Sequence, residues 1–144
     1  FGFPFDACQL PLNGFDAGFR SFQQRVLPEL NRRQIAAIGM KSLGGDGRAI
    51  VRRIAGVREA LRYAMSLDVC TTVSGIDSLK VLRQNLRIAN TFSRMTARER
   101  HAYEQSVSAY AGDGRFELYK TTAEHEGPVG RTHHGFPSQD DVAL

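Results

Sequence analysis

The stretch IAAIGMKSLGG at residues 35–45 is a continuous apolar run that ends in a polar, glycine-rich turn. Two further stretches repeat this order, ACQLPLN at residues 7–13 and CTTVSGIDS at residues 70–78, and apolar residues at helical spacing follow each of the three. Continuous apolar runs are typical of parallel strands in a sheet that is covered on both faces. The repeat therefore predicts an α/β fold made of three βα units.

Parallel strands that are joined by right-handed crossovers lie side by side with their carboxyl ends at one edge of the sheet. Ligands of such sheets and barrels bind at that edge. We therefore expect Gln9, Lys41, Ser42 and residues 77–85 to converge there, although they are far apart in the sequence.

Apolar spacing also predicts the helices. Residues 19–30 predict a helix that bends or restarts at Pro28, because proline is tolerated only in the first turn of a helix. Residues 57–65 have the spacing of an amphipathic helix. The capping-box sequence at residues 96–99 predicts a further helix to about Tyr110.

The helix after the third strand is predicted from its cap and its apolar stripe. Asp77 is a suitable N-cap for a helix that extends through Phe92. The side chains that we expect this helix to bury are Leu79, Leu82, Leu86 and Ala89.

Length and composition are those of a globular protein. The chain has 144 residues, enough for one domain with a real core, and no apolar run approaches the roughly 20 residues that cross a membrane, so we predict no membrane partner. The start, FGFPF, has neither an initiator Met nor a signal peptide, and we expect the chain to be cut from a longer, cytoplasmic protein. Cys8 and Cys70 fall in predicted strands and are expected to be buried, reduced thiols.

The net charge is +4, from 19 basic and 15 acidic residues. The arginines are scattered at helical spacing, which is typical of solvated helix faces rather than of the concentrated stripe of a nucleic-acid reader. We therefore predict no nucleic-acid partner, whereas a modest preference for anionic small molecules is compatible with this charge.

Four phrases, taken in chain order, resemble the aldo/keto reductase family: FDACQLPLN at 5–13, MKSLGG at 40–45, EALRYA at 59–64 and GIDSLKVLRQNL at 75–86. They resemble the sixth strand, the seventh-strand loop, the penultimate helix and the eighth helix of that family's barrel. The resemblance covers about residues 5–110.

The resemblance implies a partial TIM (β/α)8 barrel, comprising the last three βα units and a C-terminal helix, and an oxidoreductase that uses NADP, or NAD, to reduce aldehydes or ketones to alcohols. Residues 1–111 would be the C-terminal part of this NADP-dependent oxidoreductase domain, whose partners would be the missing N-terminal barrel half and a small carbonyl substrate. Residues 112–144 lack periodicity and are predicted to be an irregular or disordered tail, with packing on a partner region as an alternative.

The resemblance also implies which residues bind the cofactor. Gln9 occupies the place of a glutamine that hydrogen-bonds the nicotinamide carboxamide, and Met40 the place where many members have an aromatic ring beneath the nicotinamide. The residues that match the loop along the pyrophosphate are Lys41, Ser42 and Leu43. Those that match the entry to the eighth helix and its adenine-contacting pair are Gly75, Ile76, Asp77, Gln84 and Asn85.

Taken as residues alone, the same positions have simpler interpretations. A glutamine at a strand end can satisfy a loop backbone, a methionine can fill a core, and a Gln-Asn pair on a helix can face solvent. The glycines at residues 44–47 can be a flexible turn.

Two departures from the family pattern matter. Gly75, Ile76 and Val81 stand where many NADPH-preferring members have Lys-Ser and an Arg, so the choice between NADP and NAD stays open, with Lys80 or Arg83 as substitutes. The family's catalytic Asp, Tyr, Lys and His belong to earlier strands and have no counterpart here. We therefore assign no catalytic residue and expect the segment alone to be inactive.

The tyrosines and histidines of this chain do not replace the family's catalytic residues. No His has an acid/base partner at meaningful spacing, and the tyrosines fall on predicted helices or the tail: Tyr63, Tyr103, Tyr110 and Tyr119. His133 and His134 are adjacent, so their side chains point apart, and we predict no metal site. Two alternatives of other classes remain: a non-catalytic nucleotide-binding or interaction module derived from the same fold, and a basic helical protein associated with nucleic acid.

Overall fold

The computed structural model describes residues 3–121 together with Thr132 and Gly135. Three strands, β1 (Ala7–Pro11), β2 (Ala36–Met40) and β3 (Thr71–Thr72), form a parallel sheet in the order β1-β2-β3. The register places Gln9 beside Ile38, and Ile38 beside Thr71. The mixed α/β fold with three parallel strands is confirmed, although the third strand covers only two residues of the stretch at 70–78.

Helices connect and follow the strands. The α-helices are α1 (Phe22–Arg25), α2 (Leu27–Arg32), α3 (Arg48–Val51), α4 (Val57–Met65), α5 (Leu79–Asn90) and α6 (Ala97–Val107). Short 3-10 helices lie at Asp16–Gly18, Ser108–Tyr110 and Leu118–Lys120. In the part of the chain that the structure describes, no helix has the length and apolar character needed to cross a membrane.

Local sequence signals determine several helix ends. Pro28 lies in the first turn of α2, so the predicted restart after α1 is confirmed. The Thr96 hydroxyl accepts from the Glu99 backbone N–H, and the Glu99 carboxylate accepts from the Thr96 N–H at 2.8 Å, which is the predicted capping box of α6. At α5, Ser78 is the cap, because its hydroxyl accepts from the N–H of Val81. The prediction of Asp77 as this N-cap is wrong by one residue.

The core lies between one face of the sheet and the helices. Leu10, Leu12 and Ala37 point into it from the strands and loop, and meet Tyr63 of α4 and Tyr103 of α6. The second face of the sheet is less well covered. Gln9 is exposed and Ile38 is only half-buried. The continuous apolar runs predict that both faces of the sheet are covered. Among residues 3–121, only the face that carries Leu10 and Ala37 is covered in this way.

The predicted buried stripe of α5 is wrong. Leu79 is 69% exposed and Leu86 is 51% exposed, Ala89 is also exposed, and Leu82 is half-buried. The buried residue of α5 is Ile88, because α5 packs mainly against α4 with the side that carries this residue. Helical spacing identifies an apolar stripe but not which neighbour is present to cover it.

The cysteines also differ from prediction. Both are free, Cys8 is half-buried and Cys70 is exposed. Cys70 directly precedes the two-residue strand β3. Its backbone N–H donates to the Ala37 carbonyl oxygen, but its side chain is exposed.

Residues 112–121 pack against the rest of this chain. Phe116 is buried against Phe15, with ring centres 5.2 Å apart, and Glu117 is fully buried. Within the predicted irregular or disordered tail at residues 112–144, residues 112–121 are irregular apart from the 3-10 helix at Leu118–Lys120 and pack on this chain, while 122–144, apart from Thr132 and Gly135, lie outside the described residues.

A buried ionic cluster holds this segment in place; we define it as Asn13, Asp16, Glu117, Tyr119 and Lys120. The Lys120 ammonium donates to Asp16 Oδ1 at 2.7 Å and to Glu117 Oε2 at 2.9 Å, and its side chain is only 3% exposed. A third bond, at 2.7 Å, goes to the carbonyl oxygen of Phe19. All three ammonium donors are therefore satisfied, which is what makes a buried lysine tolerable.

Asp16 joins the cluster to the start of α1. Its carboxylate accepts from the Ser21 hydroxyl and from the backbone N–H groups of Phe22 and Gln23. The loop after β1, the first helix and residues 117–120 are thus fixed to one another by a single pair of acidic groups.

Replacing Lys120 by Met is expected to destabilise the fold by about 3–5 kcal/mol, because Asp16 and Glu117 would remain buried without their cation. Urea denaturation followed by circular dichroism measures this change. Arg115→Ala is the matched control, since Arg115 pairs with Asp113 at the surface, where ion pairs contribute little. Equal midpoints for the two variants would contradict the structural importance of the cluster.

Candidate functional site

The carboxyl ends of the three strands surround one cavity of about 290 Å³, which we call the rim cavity. Its lining residues come from β1, from the end of β2 with the loop after it, and from the loop after β3: Gln9, residues 40–45 and residues 73–75. The parallel register brings these segments together, because each strand ends at the same edge. Six predicted site residues thus lie around one cavity: Gln9, Met40, Lys41, Ser42, Leu43 and Gly75.

Lys41 has a fixed backbone and a supported side chain. Its φ is +52°, a left-handed conformation that is uncommon outside glycine. The Asn13 amide nitrogen donates to its carbonyl oxygen at 3.2 Å, and the Lys41 ammonium lies 5.2 Å from the centre of the Tyr119 ring. A cation over an aromatic face is stabilised by the ring's quadrupole. Lys41 is therefore presented to the rim by the ionic cluster.

The glycine loop after Lys41 lies directly against residue 116. The Gly45 N–H donates to the Phe116 carbonyl oxygen at 2.7 Å, and a Cβ at Gly44 would lie 3.2 Å from the same oxygen. Gly44 also has φ +87°, a conformation that glycine adopts without strain. These glycines are thus explained by close packing on residues 112–121, in addition to any approach of a ligand.

Asn85 belongs to the rim through hydrogen bonds. From α5 its amide nitrogen donates to the Ser74 hydroxyl at 3.2 Å and to the Gly75 carbonyl at 3.5 Å. Its other amide atom, Oδ1, is buried with no hydrogen-bond partner among the described residues, as is Thr72 Oγ1 of β3. A buried acceptor without a partner is costly, and the two bonds made by its amide nitrogen are what hold Asn85 beside the loop after β3.

Three predicted site residues do not join the rim cavity. Ile76 is 56% exposed and Asp77 is exposed beside the α5 cap. Gln84 lines a different cavity, between α4 and α5, because a helix turns successive side chains by about 100° and directs Gln84 away from Asn85. The expected convergence of residues 77–85 therefore holds for Asn85 and not for these residues.

The tyrosines of the described chain are held by structural contacts. The Tyr63 hydroxyl lies 2.5 Å from a Glu104 carboxylate oxygen and 2.6 Å from the Gln23 amide oxygen, and its ring packs on Tyr103. Burial and the neighbouring Glu104 raise the pKa of Tyr63 well above its ordinary value. Burial likewise raises the pKa of Tyr103.

Tyr119 is the tyrosine that reaches the site. Its hydroxyl donates to Glu117 Oε1 at 2.6 Å and accepts from the Asn13 amide at 3.2 Å. Burial, followed by the hydrogen bond to Glu117, raises the pKa of Tyr119 well above its ordinary value. Such a phenol stays protonated at neutral pH.

Histidines and metal ligands are not gathered within the described residues. His101 is exposed on α6, 4.0 Å from Glu104, and His125, His133 and His134 lie outside the described part of the chain. Across residues 3–121, 132 and 135, no three His, Cys, Asp or Glu side chains form a group that holds a metal ion.

Sequence reasoning missed the ionic cluster beneath the rim. A Glu-x-x-Lys spacing at residues 117–120 and polar residues after β1 were visible, but nothing in the sequence paired them across 104 positions. Comparison with protein families, with curated proteins and with solved structures finds no match to this chain.

The raised pKa of Tyr119 predicts a loss of stability at alkaline pH. The ordinary pKa of a tyrosine is about 10. Above that pH the phenol of Tyr119 releases its proton in the unfolded chain, whereas the folded protein keeps it protonated. The free energy of unfolding therefore falls as the pH rises. Tyr119→Phe should make this fall less steep, measured as urea midpoints between about pH 9 and 11. Tyr110→Phe, at an exposed position, is the control, and an unchanged slope in Tyr119→Phe would refute the prediction.

Proposed function

We propose that this chain is the C-terminal part of an aldo/keto reductase barrel and supplies the cofactor-binding edge of an NAD(P)H-dependent reductase of aldehydes or ketones. The observation that carries the proposal is the rim cavity, where Gln9, the loop from Met40 to Leu43 and Gly75 come together at the carboxyl edge of a parallel sheet. These are the positions that the family resemblance assigns to the cofactor.

The strand order is compatible with a barrel. Sequential order β1-β2-β3 is that of three consecutive βα units in a barrel, and one half of an open doubly wound sheet has the same order, so the barrel rests on the family resemblance. The less-covered sheet face, with Gln9, Ile38 and Met40, carries no charge on its strand residues and would be the barrel interior. The earlier βα units would then cover it.

The chemistry of the rim suits a nicotinamide dinucleotide in part. The Gln9 amide offers a donor and an acceptor, which a carboxamide needs. Lys41 brings a positive charge next to backbone that is open to a phosphate. When bound, the dinucleotide would supply the hydride.

Size and proton chemistry both require a further part of the barrel. A cavity of about 290 Å³ lies at the lower end of the range for small-ligand pockets, which is too small for a whole dinucleotide. A general acid for carbonyl reduction needs a pKa near neutrality, whereas burial raises the pKa of Tyr63, Tyr103 and Tyr119. The proton donor would therefore come from the upstream half.

The raised pKa values of these three tyrosines also favour one alternative function. This is a non-catalytic nucleotide-binding module that keeps this edge of the fold. The two proposals differ in the residues that precede the rim in the intact protein. Adding an upstream barrel half with strand-end Asp, Tyr, Lys and His would yield a reductase in the first case and no turnover in the second.

Lys41→Met should weaken NADPH binding by about 10- to 100-fold, because one charge-assisted contact to phosphate is worth roughly 1.5–3 kcal/mol. The methionine keeps the apolar stem over Tyr119, and Arg98→Met removes an equal charge from the exposed face of α6 as a control. Nicotinamide fluorescence during titration measures both affinities. Equal affinities for the two variants would overturn the cofactor assignment.

The 144-residue chain alone should show no carbonyl reductase activity with NADPH and a panel of aldehydes and ketones. Loss of NADPH absorbance in the presence of substrate is the measurement. Activity from the purified chain would mean that one of its own residues supplies the proton, contrary to the proposal.

A further inference from the structure

A second cavity, of about 440 Å³, lies between α4 and α5; we call it the α4–α5 groove. It shares no lining residue with the rim cavity. Val57 and Ile88 provide apolar surface, and two guanidinium groups, those of Arg58 and Arg87, also line it. The remaining polar surface includes the side-chain amides of Gln84 and Asn90.

The two arginines of the groove are available for a ligand. Both are exposed, and neither side chain has a hydrogen bond or an ion pair to any described residue. Neighbouring arginines behave differently, since Arg62 pairs with Glu99 and Arg94 pairs with Asp68. Arg58 and Arg87 are thus cations on one cavity without a structural task.

No acidic side chain lines the groove to neutralise them. Residues 79–90 of α5 carry three cations and no carboxylate. Glu59 follows Arg58 in α4, but its carboxylate folds back over Gly56, and its charge acts on Tyr103 in the core. The groove therefore has a positive potential that favours an anion.

We propose that the α4–α5 groove binds a small organic phosphate, with Arg58 and Arg87 on the phosphate and the organic part over Val57 and Ile88. The guanidinium fork matches phosphate oxygens in two-point contacts, and the amides of Gln84 and Asn90 can hydrogen-bond the edge of a polar ring. The volume falls within the range of small-molecule sites, well beyond what a bare phosphate requires.

A small ligand is favoured over a nucleic-acid strand. Strand binding requires a cationic track of several contacts with aromatic platforms, whereas this groove ends within the span of two short helices and has no aromatic lining residue. The proposal does not rest on the reductase assignment: the two cavities share no lining residue, and Gln84, which the family resemblance assigns to the cofactor, lies in this groove and not at the rim cavity.

Adenosine monophosphate, inorganic phosphate and adenosine are suitable probes, titrated into the isotope-labelled chain and followed by backbone amide NMR. Adenosine monophosphate should shift amides at residues 57–58 and 84–91, with inorganic phosphate binding more weakly at the same residues. Arg58→Met/Arg87→Met should weaken its binding about tenfold or more, because two charge-assisted contacts are lost. Arg25→Met/Arg98→Met, which removes two exposed charges elsewhere, should leave the affinity unchanged.

Several results would overturn this site. They are the absence of shifts with adenosine monophosphate, shifts confined to the rim cavity, and equal binding of adenosine without its phosphate. Equal affinity for inorganic phosphate would remove the organic part of the proposal. Tighter binding of single-stranded DNA through Arg58 and Arg87 would reassign the groove to nucleic acid. None of these results depends on Lys41, so the cofactor edge is tested separately.

Discussion

A lysine that is almost wholly buried between two carboxylates holds the architecture together. Lys120 reaches Asp16 in the loop after the first strand and Glu117 in its own segment. Asn13 accepts from the N–H groups of Phe15 and Asp16 through its side-chain oxygen, so the same loop is also held in a tight turn. The three acceptors of the Lys120 ammonium offset part of the cost of burying these charges.

The cluster also determines the geometry of the rim. Asn13 contacts both Glu117 and the Lys41 carbonyl, and Tyr119 supports the Lys41 ammonium. The loop after β2 is bonded to Phe116 on the same segment. Residues that are remote in sequence therefore fix the position of Lys41, the one lysine of the rim cavity. A substitution at Glu117 would alter the position of Lys41 through Asn13, without any contact between the two side chains.

How far the sequence predicts this molecule depends on whether a signal is local. The restart at Pro28, the capping box at Thr96 and the run at residues 35–40 involve neighbours in the chain, and each gives the expected element. Strand ends were predicted to meet at one edge because parallel crossovers allow little else, and Gln9, Lys41 and Gly75 do so. Asn85 could be placed from its helix, whereas Gln84 could not, since the rotation of α5 depends on packing against α4.

The failures come from tertiary context. Leu79 and Leu86 have the spacing of a buried stripe, but a stripe is buried only where a neighbour covers it. Residues 112–121 lack periodicity, yet one charged pair across the fold orders them. That pair also bears on synthesis. Asp16 precedes Lys120 by 104 residues, so a chain emerging from the ribosome carries an unmatched acidic loop until Lys120 has been translated.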